Sequence, residues 1–448
     1  MIFTTMILGV VLLYLLRNKL TINMVIAYIG ICLAMYYTYW AVKLQFNVSP
    51  DELMRYLLPK YIYKYNSLPS GYTKEVIYHL GNWSYAFYPQ WLGSILSAAF
   101  MKVVAIFSTS SQALLLGARL TSVLFGVIAS VFVGLSLKVL TDDKLVVAVG
   151  MSLIGFLPQF TYLSSYVNND IIAVAGVAII FYTSVLASKI NWNIKNSSLL
   201  AIGMVICLLG YMNSYGFVLV GGCYFLFSMI SQVRKGTLSN RRASLLFAIV
   251  TCLVVICVLP FLVRNYLLYN GDFLGMATFK KEYQSWLANG GQVLQHPYVS
   301  FSNLLFDSSF WEMTWHSIVG VFGYLTIVLK PIYYTYYLLI FFGSVIGLLL
   351  NNKNNIKFVD PSLKWAMIIG GAITILLFLY YTLMIDSQPQ GRYIMSIVPP
   401  LMIGVTLGLF KLVKSISEHY RLCFVLLTLT YILMNVIILI CYVKPNLM

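Results

Sequence analysis

A succession of long apolar runs constrains the fold of this chain more than any other feature of its sequence. The runs cover residues 1–16, 22–44, 86–107, 113–138, 145–164, 170–188, 198–213, 216–232, 244–263, 332–350, 365–385, 393–413 and 422–443. An α-helix needs about 20 apolar residues to cross the hydrocarbon core of a bilayer, and most of these runs approach that length. Because hydrocarbon offers backbone groups no hydrogen-bond partner, such runs fold as helices.

The composition supports a membrane protein and excludes other classes. Of the 448 residues, 60% are hydrophobic and 9% are charged, whereas soluble domains carry about 25% charged residues. We predict an all-α, polytopic membrane helix bundle in which residues 1–448 form a single transmembrane domain. A net charge of +16 would suggest nucleic acid in a soluble protein. Here Lys and Arg gather in short linkers, which is a topology signal, so we expect membrane lipid and no nucleic acid as a partner.

Cysteine and histidine patterns give no sign of a structural metal site. All seven cysteines lie inside apolar runs and no CxxC pair occurs, so neither disulfides nor zinc are expected. The histidines do not form a spacing such as HExxH; they are His79, His296, His316 and His419. Nucleotide-driven transport and serine hydrolysis find no support, because the sequence has no Walker loop and no GxSxG motif.

Short basic linkers predict the orientation of the chain, because Lys and Arg are enriched on the cytoplasmic side of membranes. These linkers are residues 17–19, 189–195, 234–242, 353–364 and 411–421. We place all of them in the cytoplasm and the long segments 45–85 and 264–331 outside. Long loops are translocated largely regardless of their charge, so the lysines of these two segments do not contradict the assignment.

Whether the run 86–107 crosses the membrane determines on which side all later linkers lie. If it crossed fully, the basic linker 189–195 would lie outside. If it returns to the outer face as a re-entrant or interfacial helix, every basic linker falls inside. We therefore predict about twelve crossings, both termini outside, a first extracytoplasmic loop over 45–112 with interfacial helices, and a long extracytoplasmic loop over 264–331. The run 1–16 would span only about 24 Å, which is short for a membrane.

Two adjacent acids, Asp51 and Glu52, follow the run 22–44 in a chain with only 13 acidic residues. A solvated helix N-terminus is one interpretation, since Pro50 can begin a helix and acids suit its dipole. The other is a general base, or a clamp for a metal or a lysine, because adjacent carboxylates resist ionising together. We take both acids as candidate catalytic residues.

Asp170 opens the run 170–188 and follows a polar stretch that includes Asn168 and Asn169. These residues can cap a helix. Alternatively, Asp170 is a second carboxylate opposite Asp51. We take Asp170 as a candidate catalytic residue and Asn169 as a candidate for substrate binding.

Arg392 stands directly before an apolar run, in the string Gln388-Pro389-Gln390-Gly391-Arg392-Tyr393. A guanidinium at that depth can hold a phosphate through two parallel hydrogen bonds, or it can anchor the helix at the interface beside Tyr393. Arg264 is a second candidate for phosphate binding on the same grounds. The candidate substrate-binding residues are therefore Arg392, Arg264, Gln390 and Tyr393, together with Asn169. Arg119, inside the run 113–138, needs a partner there, and a structural ion pair explains it at least as well as catalysis.

Taken in order, these strings resemble the membrane glycosyltransferases of the C superfamily, which include the protein O-mannosyltransferases and the lipid A aminoarabinose transferases. An acid in the first outer loop is followed by Tyr88-Pro89, by Ala118-Arg119 and by an acid after a proline-bearing helix. A bacterial group of predicted membrane proteins with the same architecture is more similar still. The strings that carry this second resemblance are Pro50-Asp51-Glu52, Val167-Asn168-Asn169-Asp170, Arg264-Asn265 with Tyr269-Asn270-Gly271-Asp272, and Gln390-Gly391-Arg392-Tyr393.

The resemblance covers residues 22–413 and implies an integral protein of the plasma membrane with its active site on the extracytoplasmic face. It implies transfer of a sugar from a polyprenyl-phosphate-linked donor to a glycan, lipid or protein acceptor of the cell envelope. Asp51 would be the catalytic base, Asp170 a second acid for metal or substrate, and Arg392 the group that holds the lipid phosphate. No cofactor is certain, and a divalent metal is left open. Where such proteins often have a histidine after the acidic pair, this sequence has Leu53-Met54-Arg55-Tyr56.

Two other functions are alternatives to glycosyl transfer. A transporter or flippase of a lipid-linked glycan would need paired repeats and broken helices with charges near the midplane, whereas the charges here cluster at helix ends. A polysaccharide polymerase also transfers glycan outside the membrane, but its donor is linked through a pyrophosphate.

Overall fold

The computed structural model describes residues 19–78, 84–350 and 360–448, and helices dominate this part of the chain. We number the described α-helices α1 to α18. They are α1 (Ile22–Lys43), α2 (Glu52–Tyr65), α3 (Leu92–Ala105), α4 (Ser111–Leu140), α5 (Lys144–Gly155), α6 (Pro158–Leu163), α7 (Asp170–Ile190), α8 (Ile194–Gly210), α9 (Tyr215–Arg234), α10 (Asn240–Leu268), α11 (Met276–Ala288), α12 (Phe301–Phe306), α13 (Ser308–Val319), α14 (Pro331–Leu349), α15 (Pro361–Met384), α16 (Val398–Ile416), α17 (Tyr420–Ile438) and α18 (Lys444–Leu447).

Shorter elements connect these helices. Short helical segments cover Lys74–Val76, Tyr85–Phe87, Met212–Ser214, Gly391–Ile397 and Leu439–Val443. The strands β1 (Val321–Phe322) and β2 (Ile327–Val328) form an antiparallel hairpin in which Val321 faces Val328. Leu325 turns the chain between them with a φ of 62°.

Nine helical segments of the described residues are long and apolar enough to cross a membrane. They are Ile22–Lys43, Ser111–Leu140, Asp170–Ile190, Met212–Arg234, Asn240–Leu268, Pro331–Leu349, Pro361–Met384, Gly391–Ile416 and Tyr420–Leu447. These segments confirm the predicted polytopic, all-α membrane bundle. Three shorter apolar helices, α3, α5 and α8, hold 14, 12 and 17 residues. The count of about twelve crossings stays a prediction, and the run 1–16 lies outside the described residues.

Two of the predicted runs are shorter as helices than as apolar stretches. The run 86–107 contributes only α3, whose 14 residues reach about 21 Å, less than the hydrocarbon core. This length suits the predicted re-entrant or interfacial helix. The run 145–164 is divided into α5 and α6 at Phe156 and Leu157, because Pro158 begins a new helix at its first position.

The core of the bundle surrounds α7. In the apolar stretch of α7 that is long enough to cross a membrane, 83% of the residues are buried. The corresponding share for α10 is 17%, so α10 lies at the periphery. Glycines let some neighbouring helices approach at backbone distance. A Cβ on Gly347 of α14 would lie 1.9 Å from the carbonyl oxygen of Gly408 in α16. The α14–α16 crossing therefore depends on the absence of side chains at both positions.

Hydrogen bonds identify which segments share one end of the bundle. Arg119, near the start of α4, donates to the carbonyl oxygens of Ala41 and Leu44 at the end of α1, at 2.8 and 2.7 Å. The backbone N–H of Gln45 donates to the Leu447 carbonyl at 2.9 Å, which places α18 at this end. The hairpin joins them, because the Tyr324 hydroxyl hydrogen-bonds to Asn47.

Candidate active site

The turn before α2 separates the two adjacent acids. Asp51 has φ 62° and ψ 3°, in the left-handed region that aspartate tolerates better than most residues. Its backbone carbonyl accepts the N–H of Arg55 at 3.0 Å, so the helix begins directly after it. The Asp51 side chain makes no capping hydrogen bond to this helix. As a result, the carboxylates of Asp51 and Glu52 find different partners.

Glu52 forms a buried, two-pronged ion pair with Arg119. The Arg119 Nε donates to Glu52 Oε1 at 2.7 Å, and Nη2 donates to Oε2 at 2.8 Å. The remaining N–H groups of Arg119 donate to backbone carbonyls of residues 41–45, so all five of its donors are used. Glu52 also accepts the N–H groups of Asn47 and Val167. Both charges are fully satisfied, which gives Glu52 and Arg119 a structural role in joining α1, α2 and α4.

Asp51 pairs with Arg392, which lies 341 residues further along the chain. The Arg392 Nη2 donates to Asp51 Oδ2 at 2.8 Å, and the Asp51 side chain keeps 21% of its surface exposed. Unlike Arg119, Arg392 has buried donors that make no hydrogen bond within the described chain, namely those on Nε and Nη1. Buried orphan donors on a charged group are uncommon in folded proteins and mark a candidate ligand site.

Asp170 is the first residue of α7 and is buried. The capping role predicted for this stretch belongs to Asn168, whose side chain accepts the N–H of Ile171 at 3.1 Å. The Oδ1 atom of Asp170 has no hydrogen-bond partner among the described residues. Asp170 is close enough to Arg392, Arg55 and Asp51 to influence them electrostatically. The structure thus brings Asp51, Asp170 and Arg392 into one cluster.

Arg55 belongs to the same cluster, although the sequence-based reasoning did not select it. It lies on α2, one turn after Asp51, and is buried. Its guanidinium carbon is 4.2 Å from the centre of the Tyr85 ring and 5.3 Å from that of Tyr211. The i, i+4 spacing from Asp51 was the available signal, since it puts both residues on one side of a helix that starts at Glu52.

The guanidinium groups control the ionisation of Asp51. Burial opposes the charged carboxylate, but the positive charges of Arg392 and Arg55 outweigh burial and hold the pKa of Asp51 below its usual value. Burial also raises the pKa of the Tyr85 hydroxyl, with Asp51 adding to the effect. Asp51 is therefore an ionised anchor for Arg392 at neutral pH, and Tyr85 is a neutral phenol.

Arg392 Nη2 donates to the Tyr393 hydroxyl at 3.4 Å, and a network of amides in the loop before α16 holds that hydroxyl. The Tyr393 hydroxyl donates to Gln388 Oε1 at 2.7 Å, and Gln390 Nε2 donates to the same oxygen at 2.9 Å. Gln388 in turn donates to Asp386. Of the predicted substrate-binding residues, Gln390 and Tyr393 thus lie beside Arg392, with the Gln390 amide nitrogen and the Tyr393 hydroxyl committed to this network.

Two other predicted residues have structural partners away from this pair. The Arg264 Nη2 donates to the Pro69 carbonyl at 2.6 Å, and its guanidinium lies 5.2 Å from the Trp91 ring, while its buried Nη1 has no hydrogen-bond partner among the described residues. The Asn169 side chain donates to the carbonyl of Gly210 at 2.9 Å. Arg264 therefore holds the first loop against α10, and Asn169 joins α7 to the end of α8.

The described residues contain no group of three or more His, Cys, Asp or Glu side chains that could hold a metal ion. In the cluster, Asp51 is paired with a guanidinium, and the second acid is Asp170. These residues alone do not provide a three-ligand metal site. His79 lies outside the described residues, and His316 stacks on Tyr334 with ring centres 3.6 Å apart.

Comparison with protein families assigns the chain to one of them. A family described as "Predicted membrane protein (DUF2142)" matches residues 76–401. This match covers more than half of the sequence, and the chain belongs to that family. Comparison with curated proteins finds no match.

Solved structures with a similar fold include ArnT and an archaeal oligosaccharyltransferase. ArnT from Cupriavidus metallidurans, bound to undecaprenyl phosphate, has a TM-score of 0.52 at 10% identity, over 89% of this chain and 62% of ArnT. The archaeal oligosaccharyltransferase AglB from Archaeoglobus fulgidus, in complex with an inhibitory peptide and a dolichol-phosphate, has a TM-score of 0.52 at 16% identity, over 92% of this chain and 55% of AglB. The chain thus spans less than two thirds of either protein. The similarity shows the fold, which is the GT-C fold that the sequence resemblance predicted.

Proposed function

We propose that this member of the DUF2142 family is a glycosyltransferase that works on the extracytoplasmic face of the plasma membrane. It transfers a sugar from a polyprenyl-phosphate-linked donor to a glycan, lipid or protein acceptor of the cell envelope. ArnT and AglB, which share the fold, are described with undecaprenyl phosphate and dolichol-phosphate, respectively. Those lipids support a lipid-linked donor for this chain.

One observation carries the proposal. Arg392 has unpaired buried donors on Nε and Nη1, and Asp170, which interacts with it electrostatically, has an unpaired buried acceptor on Oδ1. A phosphate oxygen is the ligand that a guanidinium edge binds best. A free carboxylate oxygen can accept a hydrogen bond from a hydroxyl group. The two orphan groups together therefore suit a phosphorylated donor and a hydroxyl acceptor.

The charges at the two ends of the helices support the extracytoplasmic placement. α7 runs from Asp170 towards Lys189, and the segment Gly391–Ile416 runs from Arg392 towards Lys411 and Lys414. The acid–guanidinium cluster is thus at the opposite end of these helices from the basic linkers. Because basic linkers are enriched in the cytoplasm, the cluster belongs on the outer face.

The reaction can be written with the side chains of the cluster. The oxygen of the acceptor hydroxyl attacks the anomeric carbon of the donor sugar, and Asp170 takes the proton from that hydroxyl. The new C–O bond forms as the bond between the anomeric carbon and the phosphate oxygen breaks, and the electron pair leaves with the phosphate. Arg392 stabilises the charge that grows on this phosphate.

This division of roles differs from the one that the resemblance implied for Asp51. Asp51 shares its carboxylate with Arg392 and has a lowered pKa, so it is a weaker base than a free carboxylate. We assign Asp51 the task of orienting Arg392, and Asp170 the task of accepting the proton.

A reconstituted assay tests the proposed function. Purified protein in lipid nanodiscs is supplied with a polyprenyl-phosphate sugar and a cell-envelope glycan, and released polyprenyl phosphate and glycosylated acceptor are measured. We expect equal amounts of both products, and their loss in Arg392→Met. Lys411→Met removes a positive charge near the other end of the segment Gly391–Ile416 and should retain activity.

Other outcomes of this assay would indicate a different function. Movement of an intact lipid-linked glycan across vesicles, without a covalent product, would contradict transfer and favour a flippase. Release of polyprenyl pyrophosphate from an oligosaccharide donor would favour a polymerase.

A further inference from the structure

The guanidinium of Arg55 is the most unusual charged group in the described part of the chain. Only 7% of the residue is exposed, yet its side chain makes no hydrogen bond to any described residue. Its Nε is fully buried without a partner. Removing a charged donor from water without replacing its hydrogen bonds is costly, so this arrangement calls for a ligand.

The other buried arginines in the same region use all or some of their N–H donors in hydrogen bonds. Arg119 uses all five donors, two of them on Glu52. Arg392 uses Nη2 on Asp51 and the Tyr393 hydroxyl. Arg55 uses none, although Asp51 and Asp170 are near enough to act on its charge. A role in holding the fold through hydrogen bonds would require partners that Arg55 does not have among the described residues.

Two aromatic rings set the orientation of Arg55. Tyr85, from the first loop, lies 4.2 Å from its guanidinium carbon, and Tyr211, after α8, lies 5.3 Å away. Rings against a guanidinium hold it by cation–π attraction and leave its N–H edge free for other ligands. The group is therefore fixed in position before any ligand arrives, which lowers the entropic cost of binding.

We propose that Arg55 is a second phosphate-binding residue of this site and that it grips the lipid phosphate together with Arg392. The inference rests on the proposed function and extends it. Arg392 is anchored by Asp51 and offers Nε and Nη1, whereas Arg55 offers its whole donor edge. The phosphate gains a negative charge when the sugar leaves, because a diester becomes a monoester. Arg55 thus binds the departing polyprenyl phosphate more tightly than the intact donor.

Binding of two lipids that differ only in charge tests this role. Protein in nanodiscs is titrated with polyprenyl phosphate and with the uncharged polyprenol, for wild type, Arg55→Met, Arg55→Lys and Lys60→Met. Lys60 is exposed on the same helix and serves as the matched control. We expect Arg55→Met to lose about tenfold or more in affinity for polyprenyl phosphate, the size of one charge-assisted interaction, and to bind polyprenol as wild type does.

The lysine variant separates binding from folding. Arg55→Lys keeps the charge but not the planar donor edge, so it should fold and retain an intermediate affinity for polyprenyl phosphate. Wild-type affinity for polyprenyl phosphate in Arg55→Met would overturn the role of Arg55 and leave the proposed function standing. Equal losses for both lipids in the methionine and lysine variants would also overturn it, since they would indicate a structural role. If wild type does not prefer polyprenyl phosphate over polyprenol, the proposed function itself fails, and the role of Arg55 with it.

Discussion

Asp51 and Glu52 are neighbours in the sequence, but each carboxylate meets its own arginine. Glu52 is enclosed with Arg119, while Asp51 reaches Arg392 at a partly exposed position. The left-handed backbone of Asp51, with φ 62°, accompanies this separation. A backbone conformation of this kind costs about 1–3 kcal/mol and is retained where the surrounding contacts require it. One acid thus serves the fold, and the other serves the candidate site.

Substitution of the two site carboxylates should separate their roles. We expect Asp170→Asn to lower turnover by about 10²–10⁴-fold, as for loss of a general base, with binding of polyprenyl phosphate retained. Asp51→Asn should weaken donor binding as well, because Arg392 loses its anchor. Glu312→Gln, at a side chain that is 68% exposed, is the control. Steady-state kinetics on the reconstituted enzyme measure both effects; full turnover in Asp170→Asn would remove Asp170 from the mechanism.

The pH dependence should not report Asp51. Its pKa is lowered, so the carboxylate is ionised above about pH 4, and its pairing with Arg392 is lost only as the pH falls through that lowered pKa. Any decline of kcat/KM on the acid side above pH 5 therefore belongs to another group. We expect the decline to persist in Asp51→Asn with a midpoint that is unchanged or lower, because the substitution removes a negative charge near Asp170. Loss of the decline, or a midpoint that rises, would contradict the assignment.

At the scale of elements, the candidate site is built where several helices begin or end. Asp51 and Arg55 come from the start of α2, Asp170 from the start of α7, and Arg392 from the turn before α16. Helix ends can carry charged groups at the membrane surface, while the middles of the same helices remain apolar. The precision of the site therefore depends on how closely the helices pack behind it.

The glycine contact between α14 and α16 tests that dependence. A Cβ on Gly408 would lie 2.1 Å from the Ser344 carbonyl oxygen, whereas one on Gly404, one turn earlier, meets nothing within 4 Å. We expect Gly408→Ala to destabilise the protein by about 1–3 kcal/mol through overpacking. Gly404→Ala should be neutral or stabilising by up to about 1 kcal/mol, since alanine favours helix. Unfolding in detergent measures both, and equal stability of the two variants would contradict the close crossing.

At the scale of the whole molecule, charge is distributed unevenly along the bundle axis. The ion pairs of Asp51 and Glu52 lie at one end, and Lys138, which donates to Asn23, lies at the other end of the α1–α4 pair. This asymmetry gives the orientation that we propose, with the candidate site outside and the basic linkers inside.

Labelling of single cysteines in intact cells tests the orientation. In a background without the seven native cysteines, Val299→Cys lies in the long loop at a position that is 98% exposed. Thr237→Cys is exposed in the basic linker between α9 and α10. We expect a membrane-impermeant maleimide to label position 299 in intact cells and position 237 only after permeabilisation. The reverse pattern would place the candidate site in the cytoplasm.

The sequence alone determined the class of the protein, most of its helices and its candidate acids. Hydropathy is a local property, and a bilayer leaves the backbone of an apolar run little choice but a helix. The rarity of charge in such a chain also singled out Asp51, Asp170 and Arg392. Hydropathy does not give helix boundaries where a proline intervenes, as in the run 145–164, which the structure divides at Pro158.

Only the tertiary structure decided how the charged side chains pair. Asp51 and Arg392 are 341 residues apart, and no local pattern relates their positions. The separate partners of Asp51 and Glu52 depend on one backbone angle and on the packing of α4 against α1. The position of Arg55 between Tyr85 and Tyr211 depends on the loop before α3 and on the turn after α8, and both lie far from Arg55 in the sequence. Side-chain pairing is set by helix packing, and packing is a property of the folded chain as a whole.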